Sequence, residues 1–418
     1  MISLTYGQLL RQNRNFRNLL AGQFVSEMGN WFNFIAGLGL IRLVSDASPT
    51  AAGILFVCRI LPFSLMSPIA GTFVDRFSRR TVMIATDLLR VGAALVFLLV
   101  TSPENLWIAY LATTLLSVFG AFFEGAKNAA TPNLTGKEGL LAGTALVFST
   151  RFLLMAIGSA LGGWASAAFG YHVAFIINAA SFAVSAFSVW LIPEDAVREQ
   201  ATVEHKDRES FFTELKEGLR YTVDNHFAAT ILIMNVIWAT GGGAINIVFE
   251  RMGGVVFART ANWNPDIAMA MLWTASGLGL FAGMMIAHRT AGYLDLRKGH
   301  RSFIGWTLII HGILFAAAGY IGSFWAFALL TFISRAIVGV EYAVQETMFQ
   351  RSLPDHIRGR ISTLDRGAEL TMFGLSSYLA SLAIYAISPQ TLTVISGLLA
   401  ASSGLVWFIR QPRKAVYT

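Results

Sequence analysis

The chain predicts an all-α membrane protein: twelve transmembrane helices in two pseudo-symmetric six-helix bundles. Three observations carry this. First, 55% of the 418 residues are hydrophobic and only 13% are charged, against about 45–50% and about 25% in soluble globular chains; the mean hydropathy is +0.58. Second, the apolar residues fall in runs of bilayer length, roughly 20 residues per crossing. Third, lysine and arginine collect in alternate connections, as they do when those connections stay cytoplasmic. The same numbers exclude disorder, a coiled coil and an ordinary soluble enzyme. Cytoplasmic loops account for the net charge of +7, so no nucleic-acid partner is expected.

The spans are read at 16–44, 50–73, 81–101, 104–126, 139–168 and 171–192, then at 226–250, 265–288, 301–320, 323–347, 360–386 and 389–410. Arg11, Arg14 and Arg17 lie before or at the start of the first, with no small-residue cleavage site, so it is read as a span and not a signal peptide. Pro62 and Pro68 should bend the second span. Glycines at Gly158, Gly162 and Gly163, at Gly241–Gly243, and at Gly277, Gly279 and Gly283 should let neighbouring helices approach closely. Basic clusters such as Arg76, Arg79, Arg80 and Arg351, Arg358, Arg360 alternate with connections holding only Arg42, Arg251 and Arg259. That alternation requires an even number of spans with both termini cytoplasmic.

Residues 1–195 and 226–418 are therefore read as the two bundles, joined by a cytoplasmic linker at 196–225. Within the linker, Phe211, Phe212, Leu215 and Leu219 recur at helical spacing, which predicts an amphipathic helix on the membrane surface. The halves repeat weakly. Glu124–Pro132 (EGAKNAATP) and Glu346–Pro354 (ETMFQRSLP) share a spacing, and Ala70-Gly71 before Asp75 matches Ala291-Gly292 before Asp295.

The run GTFVDRFSRR at 71–80 resembles the signature loop of the major facilitator superfamily, with Ser78 where that loop usually has Gly. Arg59-Ile-Leu-Pro62, Pro68-Ile-Ala-Gly71, Asp87-Leu-Leu-Arg90, EGLRY at 217–221 and QRSLPDHIRGRIS at 350–362 look like its macrolide-efflux and enterobactin-exporter branch. The resemblance implies the major facilitator fold, secondary transport and a bacterial inner membrane. It also implies a cytoplasmic gate. Asp75, beside Gly71, would accept hydrogen bonds from the helix start near Gly359–Ser362, where exposed N–H groups and the macrodipole favour a carboxylate. Arg76, Arg79 and Arg80 would pair with Asp87 or Glu124.

A charge near mid-membrane costs at least about 2.5–3.5 kcal/mol on insertion scales, so it is paired or functional. Glu27, Arg59, Arg151, Arg335, Asp365 and Glu369 all fall deep in their spans. A carboxylate there can carry a proton, which makes Glu27, Asp365 and Glu369 the candidates for proton coupling; permanent Glu–Arg bracing is the alternative. Arg59, Arg151 and Arg335 are candidates for holding substrate. Trp31, Asn235, Trp238 and Tyr342 could line its path, aromatic walls suiting amphipathic or cationic solutes. No GxxxxGK[ST], HExxH or paired CxxC motif occurs, and Cys58 is the single cysteine. No ATP site, cofactor, metal or catalytic residue is therefore expected. The chain reads as a monomeric transporter exporting an amphipathic small molecule, a drug-like compound or siderophore, against protons. A lipid or lysophospholipid carrier is the second reading, and a non-transporting membrane scaffold the third.

Overall fold

The computed structural model describes residues 5–74, 76–197, 211–297 and 299–410, and every regular element among them is helical. The chain forms two compact units, Met1–Lys206 with Trp263–Thr274 and Asp207–Asn262 with Ala275–Thr418. Unit 1 holds α1 (Tyr6–Gln12), α2 (Arg14–Val44), α3 (Pro49–Val74), α4 (Arg79–Val96), α5 (Leu106–Phe169), α6 (Tyr171–Trp190) and the single turn α7 (Glu194–Val197). Unit 2 holds α8 (Phe211–Asp224), α9 (His226–Arg251), a π-helical turn at Met252–Phe257 and α10 (Ala258–Thr260). α11 (Pro265–Arg297) gives its residues up to Thr274 to unit 1 and the remainder to unit 2. α12 (His300–Ala318), α13 (Phe324–Ser352), α14 (Asp355–Ala383) and α15 (Pro389–Arg410) complete unit 2.

α5 is two spans joined at Gly136, so twelve of these helices are long enough to cross a bilayer. Ten stretches are also apolar enough to do so by composition alone. The two helices that fall short are α2 and α14, which carry Glu27 and the Asp365–Arg366–Glu369 group. A helix that lines a polar space gives up hydropathy on that face, so these two stand out for what they present.

The fourth span does not end near 126. Its helix runs through Pro132 and stops at Gly136, which adopts φ 63° and ψ 175° before the helix resumes. Only glycine takes that backbone without strain. Leu134, whose backbone oxygen lies just before the break, accepts from the side chain of Asn13. The second half makes the same turn differently: α13 ends at Ser352, Pro354 precedes α14, and Arg358 Nη2 donates to the Leu353 carbonyl at 3.0 Å. The second span continues through both Pro62 and Pro68. In the turn before Pro62, the Arg59 carbonyl accepts from Ser117 Oγ at 2.7 Å, a bond supplied by α5 beside the missing proline donor.

The repeat reaches further toward the N-terminus than the spans themselves. α1 and α2 meet at Asn13 (φ −111°, ψ 93°), and α8 and α9 meet at Asn225 (φ −100°, ψ 106°). Each asparagine caps the following helix, accepting from Phe16 N at 2.8 Å and from Ala228 N at 3.0 Å. α1 is held by Leu9 in an apolar cluster with Phe16, Val82, Phe123 and Leu134. α8 is held against α14 by buried Gly218 and Thr222 and by a Glu217–Arg360 ion pair, while Leu219 and Val223 are exposed.

Glycines set the closest helix contacts. A Cβ on Gly158 would stand 2.7 Å from Trp31 Cβ, and one on Gly283 would collide with the Ala336 carbonyl oxygen of α13. Gly283→Ala is therefore expected to force α11 and α13 apart and cost about 1–3 kcal/mol of stability. Gly292→Ala on the same helix meets nothing within 4 Å and should leave the melting temperature unchanged or raised. Thermal unfolding of the two detergent-purified variants checks the pair.

Candidate functional site

In unit 1 the polar residues of α2 and α5 converge. Gln23 and Glu27 stand one turn apart on α2, and Asn30 Nδ2 lies 3.4 Å from Glu27 Oε2. The first arm of α5 brings Glu124, Lys127 and Asn128, and its second arm brings Val147 and Arg151. Together they line a polar cleft. Lys127 is 2% exposed and donates to Glu124 Oε1 at 2.7 Å. Glu124 is also within Coulombic reach of Arg151 and Arg90. Arg59 lies within Coulombic reach of Glu27 and Arg151. Its guanidinium sits over the ring of Phe34 at 4.3 Å and of Trp31 at 5.8 Å, a cation–π arrangement. Trp31, Phe34 and Trp273 pack with ring centroids 5.2–5.8 Å apart.

Two further ion pairs lie inside this unit. Asp87, buried completely, is bridged by Arg90, whose guanidinium is sandwiched between Phe123 at 4.5 Å and Phe182 at 4.3 Å. Arg42 pairs with Asp266, which also accepts from Tyr171 Oη at 3.0 Å. Of the loop after α3, Gly71 is exposed and Asp75 lies outside the described residues. Arg76 is exposed. Arg79 Nη1 donates to the Val197 carbonyl at 3.3 Å and Arg80 Nη2 to the Trp190 carbonyl at 2.6 Å. The described contacts of Arg79 and Arg80 thus tie the loop to the ends of α6 and α7, while Asp87 and Glu124 take Arg90 and Lys127.

In unit 2 a hydrogen-bond chain crosses three helices. Gln345 Nε2 of α13 donates to Asn235 Oδ1 of α9 at 2.9 Å, and Asn235 Nδ2 donates to Asp365 Oδ2 of α14 at 2.9 Å. One turn on, both carboxylate oxygens of Glu369 accept from Arg366 Nη1 at 2.8 Å. Glu341, 3% exposed, is within Coulombic reach of Glu369, and Tyr342 is half-buried within reach of Arg366 and Glu369. Trp238 packs on Phe373 at 6.2 Å. Arg335 is buried next to His311 of α12 instead. Asn235 follows its cap Asn225 at the same interval as Gln23 follows Asn13, so the two polar groups occupy matching places in the repeat.

Lys127, Asn128, Arg90, Glu341 and Gln345 add to the site residues singled out from the sequence. Arg90 and Glu341 satisfy the deep-charge criterion and were readable from it. Lys127 falls just outside the span read at 104–126, so it reads as a loop residue. Asn128 and Gln345 carry no charge, and nothing in the sequence separates them from other polar helix residues. Among the described residues no group of three or more His, Cys, Asp or Glu could hold a metal ion.

Twelve helices with charged groups gathered inside each unit define a multi-pass membrane transporter. The chain belongs to the Major Facilitator Superfamily, whose family model matches residues 19–291. It is 26% identical to the uncharacterized MFS-type transporter YfiS of Bacillus subtilis over 84% of this chain and 82% of that one. It is 23% identical to macrolide efflux protein A of Streptococcus pyogenes over 84% of each chain, in keeping with the macrolide-efflux resemblance read from the sequence. The crystal structure of the nucleoside transporter NupG has the same fold, with a TM-score of 0.72 at 14% identity over 95% of this chain and 98% of that one.

Proposed function

We propose that this protein is a secondary active exporter of amphipathic small molecules that works by alternating access and exchanges its substrate for protons. The observation that carries the reading is Glu27, a carboxylate without an ion pair among the described residues that lines a polar cleft inside a membrane-spanning unit. A group so placed can take up and release a proton as its surroundings change. Asp365 and Glu369 are the second candidates. Asp365 is held by the Asn235 amide, and Glu369 is neutralised by Arg366. Trp31, Arg59, Arg151, Asn235, Trp238 and Tyr342 are proposed to contact substrate, with Arg335 as a deeper cation. Gly71, Asp75, Arg76, Arg79 and Arg80 are proposed as the cytoplasmic gate, with Asp87 and Glu124 behind it. Both termini are proposed to be cytoplasmic, at a bacterial inner membrane, which the alternation of basic loops supports. Export is the direction supported by the macrolide-efflux relative.

Purified protein in liposomes with an acidic lumen tests this. Radiolabelled erythromycin, the dye ethidium and the dipeptide phenylalanylglycine should all be screened. At least one is expected to accumulate inside, and a protonophore should abolish the accumulation. Flux that ignores the pH gradient, or no flux of any of the three, would overturn the reading.

A further inference from the structure

The cleft of unit 1 contains opposite charges that do not meet. Glu27 and Arg151 line the same cleft, yet neither forms an ion pair among the described residues. Arg59 lies within Coulombic reach of Glu27 and Glu124 within reach of Arg151, but neither closes an ion pair there. The Glu124 carboxylate is engaged by Lys127 at 2.7 Å, and the Arg59 guanidinium is directed onto the face of Phe34 at 4.3 Å. Glu27 is half-buried and Arg151 is exposed to the cleft, so both charges are open to a solute that enters it. A bound dipole laid between them would supply both missing partners.

A second observation points the same way. Gln23, one turn before Glu27, is 6% exposed and lines the cleft, and its side-chain oxygen has no hydrogen-bond partner. Buried acceptors are normally satisfied, since an unmade bond leaves the desolvation cost uncompensated. An acceptor oxygen one turn from a carboxylate makes a cradle for a group with several N–H donors and a positive charge. On the other side of the cleft, Arg151 offers the planar fork that suits a carboxylate.

We infer that this cleft binds a zwitterion, a small molecule with an ammonium group held by Glu27 and Gln23 Oε1 and a carboxylate held by Arg151. The inference rests on the transporter reading and names the substrate class for it. It also ties substrate to proton: the ammonium fits only when Glu27 is ionised, so the proton on Glu27 passes to water as the ammonium arrives. One carboxylate then serves substrate and proton by turns.

Isothermal titration of the purified full chain in detergent at neutral pH, with no gradient, tests this. The probes are phenylalanylglycine, its N-acetyl derivative, which lacks the cation, and its C-terminal amide, which lacks the anion. The zwitterion should bind, and each singly charged analogue should bind at least about tenfold more weakly. Glu27→Gln should remove the penalty for the N-acetyl compound only, and Arg151→Gln the penalty for the amide only. Glu27→Asp and Arg151→Lys, which keep the charges, should preserve the discrimination and show that the protein is folded. Equal binding of all three probes, no binding of the zwitterion up to about 10 mM, or mutants that weaken all three alike would overturn the inference. Because no gradient is present, a failure of proton coupling leaves this pattern intact, and a loss of the pattern leaves pH-driven flux intact.

Discussion

Glu27→Gln is expected to reduce accumulation driven by a pH gradient to the level of protein-free liposomes, while exchange of substrate for substrate persists at saturating concentration. Glutamine matches glutamate in shape but cannot take up or release a proton. The described hydrogen bond of Glu27 is with Asn30, three residues along the same helix, so the replacement breaks no hydrogen bond between helices and loses only the Coulombic attraction to Arg59 of α3. Its packing cost should be small, and the folded fraction should be unchanged. The diagnostic is the split between the two assays. A transporter that still cycles with substrate bound but is blind to the gradient has lost coupling, not structure. A variant that retains full gradient-driven accumulation would remove Glu27 from the coupling path, and Asp365 would become the next candidate.

Arg90→Ala is expected to have the largest effect on stability, about 3–5 kcal/mol, because it leaves the Asp87 carboxylate buried without its cation. Asp87 is completely enclosed, and the pair is shielded by Phe123 and Phe182 on the two faces of the guanidinium. Removing both charges with Asp87→Asn and Arg90→Met should recover a large part of the loss, since the penalty comes from stranding one partner. Chemical denaturation of the single and double variants in detergent checks this. If the double variant is no more stable than Arg90→Ala, the arginine matters for the volume it fills between the aromatic rings and not for its charge.

Much of the architecture was legible because lipid is an exacting solvent. A span needs about 20 apolar residues and basic loops collect on one side, so hydropathy and charge alone return the helices from Arg14 to Arg410 in order. The same cost made Glu27, Asp365 and Glu369 conspicuous. What could not be read was pairing. Asp87 meeting Arg90, Glu124 meeting Lys127 and Asp365 meeting Asn235 depend on which faces turn inward, and a list of charged residues does not encode that. The helix end after residue 126 was misplaced for a related reason: Lys127 and Asn128 look like loop residues until Glu124 and the cleft supply their surroundings. The caps at Asn13 and Asn225 were readable, each a short polar side chain just ahead of an apolar run, but they gain meaning only once the two helices that precede them are seen to match.

That match bears on ancestry. If a primordial gene was copied in tandem to make this chain, the copied stretch began with the small helix ahead of its asparagine, so each copy carried seven helices and not six. The seam between copies then falls before Phe211, and α8 is the opening element of the second copy, not a tether left between them. Protein engineers seeking a tolerant position for an inserted domain should therefore aim upstream of Phe211 and spare the stretch from there to Asn225.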